Sequence, residues 1–371
     1  MNNENELNTN LYDENVINCV NKLFKDKPDN YIFIYTPPKV GSTTLVTSLT
    51  LSLGPNYNII HIHDEVMFEV LTGIKNIKII DIINYLGSIG KNVYVIDVYR
   101  PLLERKISEY FEKLTELHFN VSDEEIKNYS LDILVNRFNN IFLHIENGDH
   151  YHEKYRLTDI PPFDFVNKYT LQTKNYIKYI KLRLIDSKYW SSILSKILNT
   201  EIIIINDYET KNKVIGKLYG EFKKYYKIPL NYYLIIKNCY YLNYYYNNSE
   251  KEDYLKNILK SNSEYKGYNN DEYNLYLSIT LENQKKILID KNHYLIDRCK
   301  CKLCSNNIEL IKKKIKNGEN IGKISHIENV KLKQINNFIY KTNLIKKINK
   351  NKLNKFRENK INNIMISLLN K

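Results

Sequence analysis

The segment PPKVGSTT, at residues 37–44, gathers residue types that together can hold an anion. Gly41 lets the backbone approach a ligand closely, and Lys39 supplies a full positive charge. Hydrogen-bond donors come from three consecutive hydroxyl residues, Ser42, Thr43 and Thr44. Because the segment lies between an apolar run and a predicted helix, unpaired N–H groups at the helix N-terminus would face the same anion. The spacing predicts an anion site in which Lys39 can neutralise charge on a transferring group.

The residue order separates this loop from the phosphate loop of nucleoside triphosphatases. That loop is G-x-x-x-x-G-K-[ST], with lysine directly after the second glycine. Here Lys39 precedes the only glycine of the segment, Gly41. This difference disfavours kinase chemistry. An ordinary strand-to-helix turn that is rich in Ser and Thr is the alternative interpretation.

A second candidate phosphate contact follows the third predicted strand, in VIDVYRPLLERKISEYFEKL. Arg100 stands where that strand ends, and the planar guanidinium of arginine makes paired hydrogen bonds to phosphate oxygens. Ser108 follows eight residues later on a predicted helix. The alternatives are an ion pair between Arg100 and Glu104, and a serine that only fills the flank of the helix.

The predicted elements place both loops at one edge of a sheet. The apolar runs 31–36, 58–63 and 91–99 show little polar alternation, as do strands that are buried on both faces, and they alternate with predicted helices. We therefore predict an α/β fold with a parallel sheet flanked by helices. Loops that follow neighbouring parallel strands meet at the carboxyl edge of the sheet, where such folds bind ligands.

Helical patterns dominate after the third strand, so we predict a mostly helical C-terminal half. The segment 101–117 has apolar residues at helical spacing and proline at the favoured first position. The remaining predictions are helices at 123–145, 188–198, 211–224 and 250–261, and a strand in EIIIIN at 201–206.

Positive charge is concentrated at the C-terminal end of the chain. The 371 residues carry a formal net charge of +13. From Glu309 onward, sixteen Lys and Arg face four Glu, a balance of +12, so the rest of the chain is nearly neutral. We predict a polar N-terminal segment (1–29), an α/β domain (30–305) and a basic Lys/Asn-rich extension, helical or partly mobile (306–371). The extension is predicted to be a solvated or packed helical surface, with contact to nucleic acid or an acidic polymer as the alternative.

Cysteine usage and hydropathy favour a cytoplasmic protein. Five cysteines, three of them in CKCKLC, do not resemble a disulfide framework. Cys299, Cys301 and Cys304 with His293 have enough ligands for zinc, but the spacing is not that of a standard zinc finger and reduced free thiols are the favoured interpretation. No window approaches the ~20 apolar residues of a membrane helix. The acidic, polar N-terminus is unlike a signal peptide.

Two of these motifs resemble those of sulfotransferases that use 3′-phosphoadenosine 5′-phosphosulfate (PAPS) as donor. Pro-Lys-x-Gly-Ser-Thr-Thr after the first strand is similar to their 5′-phosphosulfate loop, and Arg100 and Ser108 have the spacing that they use for the 3′-phosphate. KVGSTTL, H-x-H and R-P-x(6)-S-x-[FY]-[FY] together resemble carbohydrate and capsular-polysaccharide-type sulfotransferases. The resemblance covers residues 30–120 well. PFDFVNKY and YLNYYYNNSEKEDYL are similar to later segments of such proteins.

The resemblance implies a P-loop-like sulfotransferase fold and a PAPS-dependent transferase acting on a hydroxyl acceptor, which we expect to be a sugar. The implied nucleotide contacts are Lys39, Val40, Gly41, Ser42, Thr43, Thr44, Arg100 and Ser108.

The base in these enzymes is a histidine or a glutamate, and candidates lie in HIHDE at the end of the second predicted strand. A base must take the proton of the acceptor hydroxyl. His61 and His63 share one face because side chains repeat every two residues along a strand. His63 is the first candidate, followed by His61 and then Glu65. Partly exposed histidines without a catalytic role are the alternative.

Two histidine patterns admit other interpretations. His61 and His63 with Glu69 have ligand types that suit iron or zinc, but barrels that use such a motif are all-β and the flanks here are helical, so we expect no metal. His144, His150 and His152 in HIENGDHYHEKYR either line an acceptor cleft or form a polar loop, and the loop is favoured.

Two other classes of function stay open. A kinase-like nucleotide-binding enzyme would require magnesium. A non-enzymatic binding protein would use its basic C-terminal extension and would not need Lys39.

Overall fold

The central feature of the chain is a five-stranded sheet with the strand order β2-β1-β3-β5-β4. The structure is a computed structural model that describes residues 12–24, 28–53, 56–72, 74–142, 149–204, 215–264 and 269–286. The strands are β1 Asn30–Tyr35, β2 Tyr57–Ile62, β3 Asn92–Tyr99, β4 Tyr169–Lys174 and β5 Ile177–Arg183. All neighbouring pairs are parallel except β4 and β5, which form an antiparallel hairpin. The α/β fold and its three predicted parallel strands are confirmed.

Helices cover both faces of this sheet because β1 is apolar on both sides. Ile32 and Ile34 pack with helices α2 (Ser42–Leu53) and α10 (Trp190–Leu198). Tyr31 and Phe33 face the opposite cluster. That cluster contains residues of α1 (Glu14–Phe24), α3 (Glu65–Thr72) and α4 (Ile79–Ser88). Burial on both faces explains the uninterrupted apolar runs of the parallel strands.

A third hydrophobic cluster joins the helices beyond β3. The helix predicted from Pro101 is confirmed as α5, Leu102–Glu112, and its Tyr110 and Phe111 pack against Phe222. Helices dominate the rest of the described chain. They are α6 Leu114–Leu117, α7 Asp123–Ile126, α8 Leu131–Arg137, α9 His150–Glu153, α11 Gly216–Tyr225, α12 Leu230–Lys237, α13 Tyr240–Tyr245, α14 Asn248–Lys256 and α15 Asn270–Lys286.

The strand predicted at 201–206 is wrong for its described part. Residues 201–204 lie outside the five strands of the described chain, although Ile202, Ile203 and Ile204 are buried. The backbone N–H of Ile203 donates to the Ser52 hydroxyl at 3.0 Å, so a side chain replaces the sheet partner. An apolar run gives burial but does not choose between strand and buried irregular chain.

The sheet is completed instead by β4 and β5, which the sequence did not predict. β5 reads IKYIKLR, and its lysines and arginine break the apolar pattern. Both Lys181 and Arg183 are buried, with 1% of each residue exposed. Carboxylates neutralise both of them, which is why this charged segment can lie inside the sheet.

Several helix boundaries differ from the prediction. The helix expected at 123–145 divides into α7, α8 and a π-helical turn at Phe138–Phe142, because Ser130 caps a new helix start by accepting a hydrogen bond from the N–H of Ile133. A 3₁₀ helix at Leu184–Tyr189 precedes α10.

The ends of the chain extend beyond what the structure describes. Helix α1 buries Val16, Cys19 and Val20, so part of the N-terminal segment shares the core of the domain. The basic extension, 306–371, and the candidate zinc ligands Cys299, Cys301 and Cys304 lie outside the described residues. Among the helices that are described, none combines the length and the apolar character needed to cross a bilayer.

Candidate functional site

The loop between β1 and α2 turns tightly, and it is held by the burial of Val40 and by packing against Leu184 and Trp190. Lys39 has φ of 66° and Gly41 has φ of 91°, both in the left-handed region. A Cβ at Gly41 would lie 3.0 Å from Leu184 Cδ1 and 3.1 Å from Trp190 Cη2, so both the backbone conformation and the packing favour glycine there. Val40 is buried in the cluster under α2. Its side chain anchors the loop, so any ligand contact of Val40 would come from its backbone.

This loop opens onto a cleft of about 630 Å³. The cleft lies where the chain turns from β2 on one side of β1 to β3 on the other, the usual ligand position in open α/β sheets. Sequence-predicted residues from three separate segments line it; they are Lys39, Gly41, Ser42, Thr43, Thr44, His63, Arg100 and Ser108. The N–H groups of residues 42–44 have no carbonyl of the preceding turn to bond to, since α2 begins there. The arrangement can receive a multiply charged anion.

Arg100 and Lys39, two cations of the cleft, are positioned by a backbone carbonyl and by carboxylates of α5. Arg100 Nη1 donates to the carbonyl oxygen of Lys39 at 2.7 Å, which ties the end of β3 to the loop. Arg100 also lies 3.8 Å from the Glu104 carboxylate, so the ion pair considered from sequence is present as well. Lys39 Nζ forms an ion pair with Glu112 at the C-terminal end of α5. Both cations therefore have a carboxylate neighbour on α5, and of these two carboxylates Glu112 lines the cleft.

His63 is held in one orientation at the end of β2. Its Nδ1 lies 2.7 Å from the carbonyl oxygen of Thr36, which can only accept, so we assign the proton to Nδ1 and the lone pair to Nε2. Burial is the main cause that lowers the pKa of His63 below its usual value. The backbone carbonyl of His63 is 2.6 Å from His150 Nε2. A neutral imidazole with an unprotonated Nε2 can take a proton.

The Thr36 that holds His63 is itself anchored by a buried charged cluster. The Thr36 hydroxyl donates to Asp97 Oδ1 at 2.7 Å, and Asp97 Oδ2 accepts from Lys181 at 2.8 Å. Lys181 also donates to Asp149 at 2.7 Å. Although burial raises the pKa of Asp97, the Lys181 ammonium, the His150 ring and the hydrogen bonds from Lys181 and Thr36 together hold that pKa below its usual value. We call Asp97, Asp149 and Lys181 the closed cluster.

The other two base candidates lie outside the set of residues that line the cleft. The His61 ring packs edge-on against His63 with 4.7 Å between centroids, and burial lowers its pKa to about 3. Its Nε2 is buried without a hydrogen-bond partner among the described residues. Glu65 accepts from Tyr35 at 2.7 Å and from Lys154 at 3.0 Å. Although burial raises the pKa of Glu65, these hydrogen bonds outweigh it and hold that pKa below its usual value.

The remaining histidine patterns are distributed away from the cleft. Glu69, considered as a metal ligand with His61 and His63, instead lies 3.6 Å from Lys75. His150 is buried in α9, whereas the ring of His152 is surrounded by tyrosines of α13 at centroid distances of 4.6–5.9 Å. His144 lies outside the described residues.

Several residues of the cleft were missed by sequence reasoning. They are Glu109 and Glu112 on α5, Lys113 directly after it, Leu184, Ser187 and Trp190 after β5, and Tyr219 on α11. Helical spacing could have found Glu112, because it stands one turn after Ser108 on the same helix face. Trp190 and Tyr219 reach the cleft through long-range packing, for which the sequence offers no local signal.

Comparison of the chain with protein-family models, with curated proteins and with solved structures finds no match.

Proposed function

We propose that this cleft binds PAPS and transfers its sulfuryl group to the hydroxyl of an acceptor, with a sugar as the expected acceptor. One observation carries the proposal. The loop at 39–44, His63, and Arg100 with Ser108 come from separate segments, yet they line the same cleft at the carboxyl ends of β1, β2 and β3. A loop that leads from a central parallel strand into a helix also supports a P-loop-like sulfotransferase fold.

The residues take complementary roles in this reaction. Lys39 and the N-terminus of α2 hold the 5′-phosphosulfate, while Arg100 and Ser108 hold the 3′-phosphate. His63 Nε2 takes the acceptor proton as the acceptor oxygen bonds to sulfur. The bond between sulfur and the bridging phosphate oxygen breaks, and Lys39 neutralises the charge left on that oxygen.

The first experiment is calorimetric titration with adenosine 3′,5′-bisphosphate, with 5′-AMP and ATP as controls, in the absence of magnesium. We expect the bisphosphate to bind selectively and Lys39→Ala to abolish this binding. Lys91→Ala is the matched control, because Lys91 pairs with Asp29 away from the cleft. Circular dichroism should show that Lys39→Ala remains folded.

Arg100→Ala tests the 3′-phosphate contact. We expect affinity for the bisphosphate to fall about tenfold more than affinity for 5′-AMP, because charged hydrogen bonds contribute about 1.5–3 kcal/mol. Arg156→Ala, which removes an ion pair with Asp81, should leave both affinities unchanged. Equal losses for the two nucleotides would disprove the role of Arg100. Preference for magnesium ATP, or no binding by the wild type, would disprove the sulfotransferase proposal.

A further inference from the structure

Glu112 places a negative charge directly on the cation of the anion loop. Its carboxylate pairs with Lys39 Nζ, and the exposed fraction of the side chain is 40% for Glu112 and 13% for Lys39. Both residues line the cleft together with His63. Any anion that reaches Lys39 must therefore compete with this carboxylate.

The neighbouring carboxylate on α5 has different partners. Glu109 accepts a hydrogen bond from Lys113 at 3.1 Å and lies 3.7 Å from Lys106, so its charge is balanced along its own helix. Glu112 instead reaches across the cleft to the β1–α2 loop. An ion pair with one half-exposed member is held weakly, so a ligand can replace the carboxylate on Lys39.

We infer that Glu112 is a positioning residue that changes partner when the cleft is filled. An anion bound at the loop takes Lys39, and the displaced carboxylate is left facing His63. The displacement requires only that the loop binds an anion. The consequence for catalysis rests on the proposed function, in which His63 is the base.

The exchange would make His63 a stronger base at the moment when donor is present. Burial lowers the pKa of His63, while the Glu112 carboxylate raises it and the Lys39 ammonium lowers it. A bound anion neutralises Lys39 but leaves the effect of Glu112, so the imidazolium that forms on proton transfer is stabilised. Among the described residues, the Thr36 carbonyl, the Asp64 carboxylate and the His61 ring also face His63, and His150 contacts its backbone carbonyl.

The first test is the affinity of the full chain for inorganic pyrophosphate, measured by calorimetry for wild type, Glu112→Gln and Glu116→Gln. We expect Glu112→Gln to bind about fivefold more tightly, the effect of removing one half-exposed ion pair. Glu116→Gln removes the same charge one turn further along the chain and should bind as wild type does. Equal or weaker binding by Glu112→Gln would overturn the inference.

The second test is the NMR titration of the His63 imidazole with pyrophosphate bound, its signal identified by its loss in His63→Gln. Glu112→Gln should lower the pKa of His63 relative to wild type, whereas Glu116→Gln should not. An unchanged pKa in Glu112→Gln would overturn the inference. If both tests succeed but adenosine 3′,5′-bisphosphate is not preferred over 5′-AMP, the partner exchange holds and the sulfotransferase proposal fails.

Discussion

The carboxyl end of the sheet carries two charged clusters, one open to the cleft and one closed inside the protein. In the closed cluster, Lys181 bonds Asp97 and Asp149, and at most 1% of each side chain is exposed. In the open cleft, Lys39 pairs with a half-exposed Glu112. Similar residue types therefore serve two purposes. Where water and ligands are excluded the charges hold the fold together, and where they have access the same pairing can be exchanged.

The two clusters are also mechanically connected. Thr36 accepts a hydrogen bond from the N–H of Val98 and donates to Asp97, while its carbonyl faces His63. Through Thr36, the closed cluster thus fixes the position of the His63 imidazole in the cleft. A rigid imidazole beside a cation that can exchange partners is the arrangement that the proposed transfer requires.

The largest expected effect comes from breaking the closed cluster. Lys181→Met would leave Asp97 and Asp149 buried without their cation, so we expect the free energy of unfolding to fall by about 3–5 kcal/mol. Denaturant unfolding followed by circular dichroism measures it. Lys178→Met, on the same strand but partly exposed over the Tyr94 ring, should cost less than about 1 kcal/mol. Similar losses for the two variants would contradict the distinction between closed and open charges.

The dependence of stability on acid pH tests whether the His61 ring, beside the open cleft, is shielded from water as the closed cluster is. Burial holds its pKa at about 3 in the folded chain, below the usual 6.5, so the unfolded state binds more protons below pH 6.5. The contribution of His61 is present above pH 6.5 and is lost as the pH falls, by about 1.4 kcal/mol per pH unit. His118, whose pKa burial lowers to about 4, acts in the same direction.

Unfolding free energies between about pH 6 and pH 5 lie above the range where most carboxylates titrate. The slope there is shared with His63, His150 and His152, whose pKa values burial also lowers, so the His61 part is the difference between wild type and variant. His61→Gln should reduce the slope against pH, and His118→Gln should reduce it too. A wild-type slope retained in His61→Gln would mean that water reaches the His61 ring.

The smallest expected effect is the difference between Gly90→Ala and Gly41→Ala. It separates the cost of a left-handed backbone from the cost of side-chain contact at the anion loop. Gly90 has φ of 79°, and a Cβ there would meet no described atom within 4 Å, so Gly90→Ala should cost only the left-handed penalty of about 1 kcal/mol. Gly41→Ala should cost about 1–2 kcal/mol more, because its Cβ meets Leu184 and Trp190. Only Gly41→Ala should also weaken pyrophosphate binding. Equal effects of the two variants on stability and binding would show that the Trp190 contact does not shape the loop.

Sequence reasoning reached much of the fold and of the candidate site. The parallel strands were predictable because burial on both faces demands continuous apolar runs, as in β1. The shared position of Lys39 and Arg100 followed from the rule that loops after neighbouring parallel strands meet at one edge. β5 was missed because Lys181 and Arg183 interrupt its apolar pattern. Both carboxylate partners of Lys181 lie far away in the chain, as does Glu250, whereas Asp186 is only three residues from Arg183.

The sequence by itself determined the strand-loop-helix unit with Lys39 and Gly41, since these features depend on neighbouring residues and on local backbone conformation. Tertiary structure alone decided that His63 lines the cleft while Glu65 turns to Lys154. It also decided that Glu112 pairs with Lys39. The physical reason is that ion pairs and burial are set by distances in space between separate elements, and no local spacing in the chain encodes those distances.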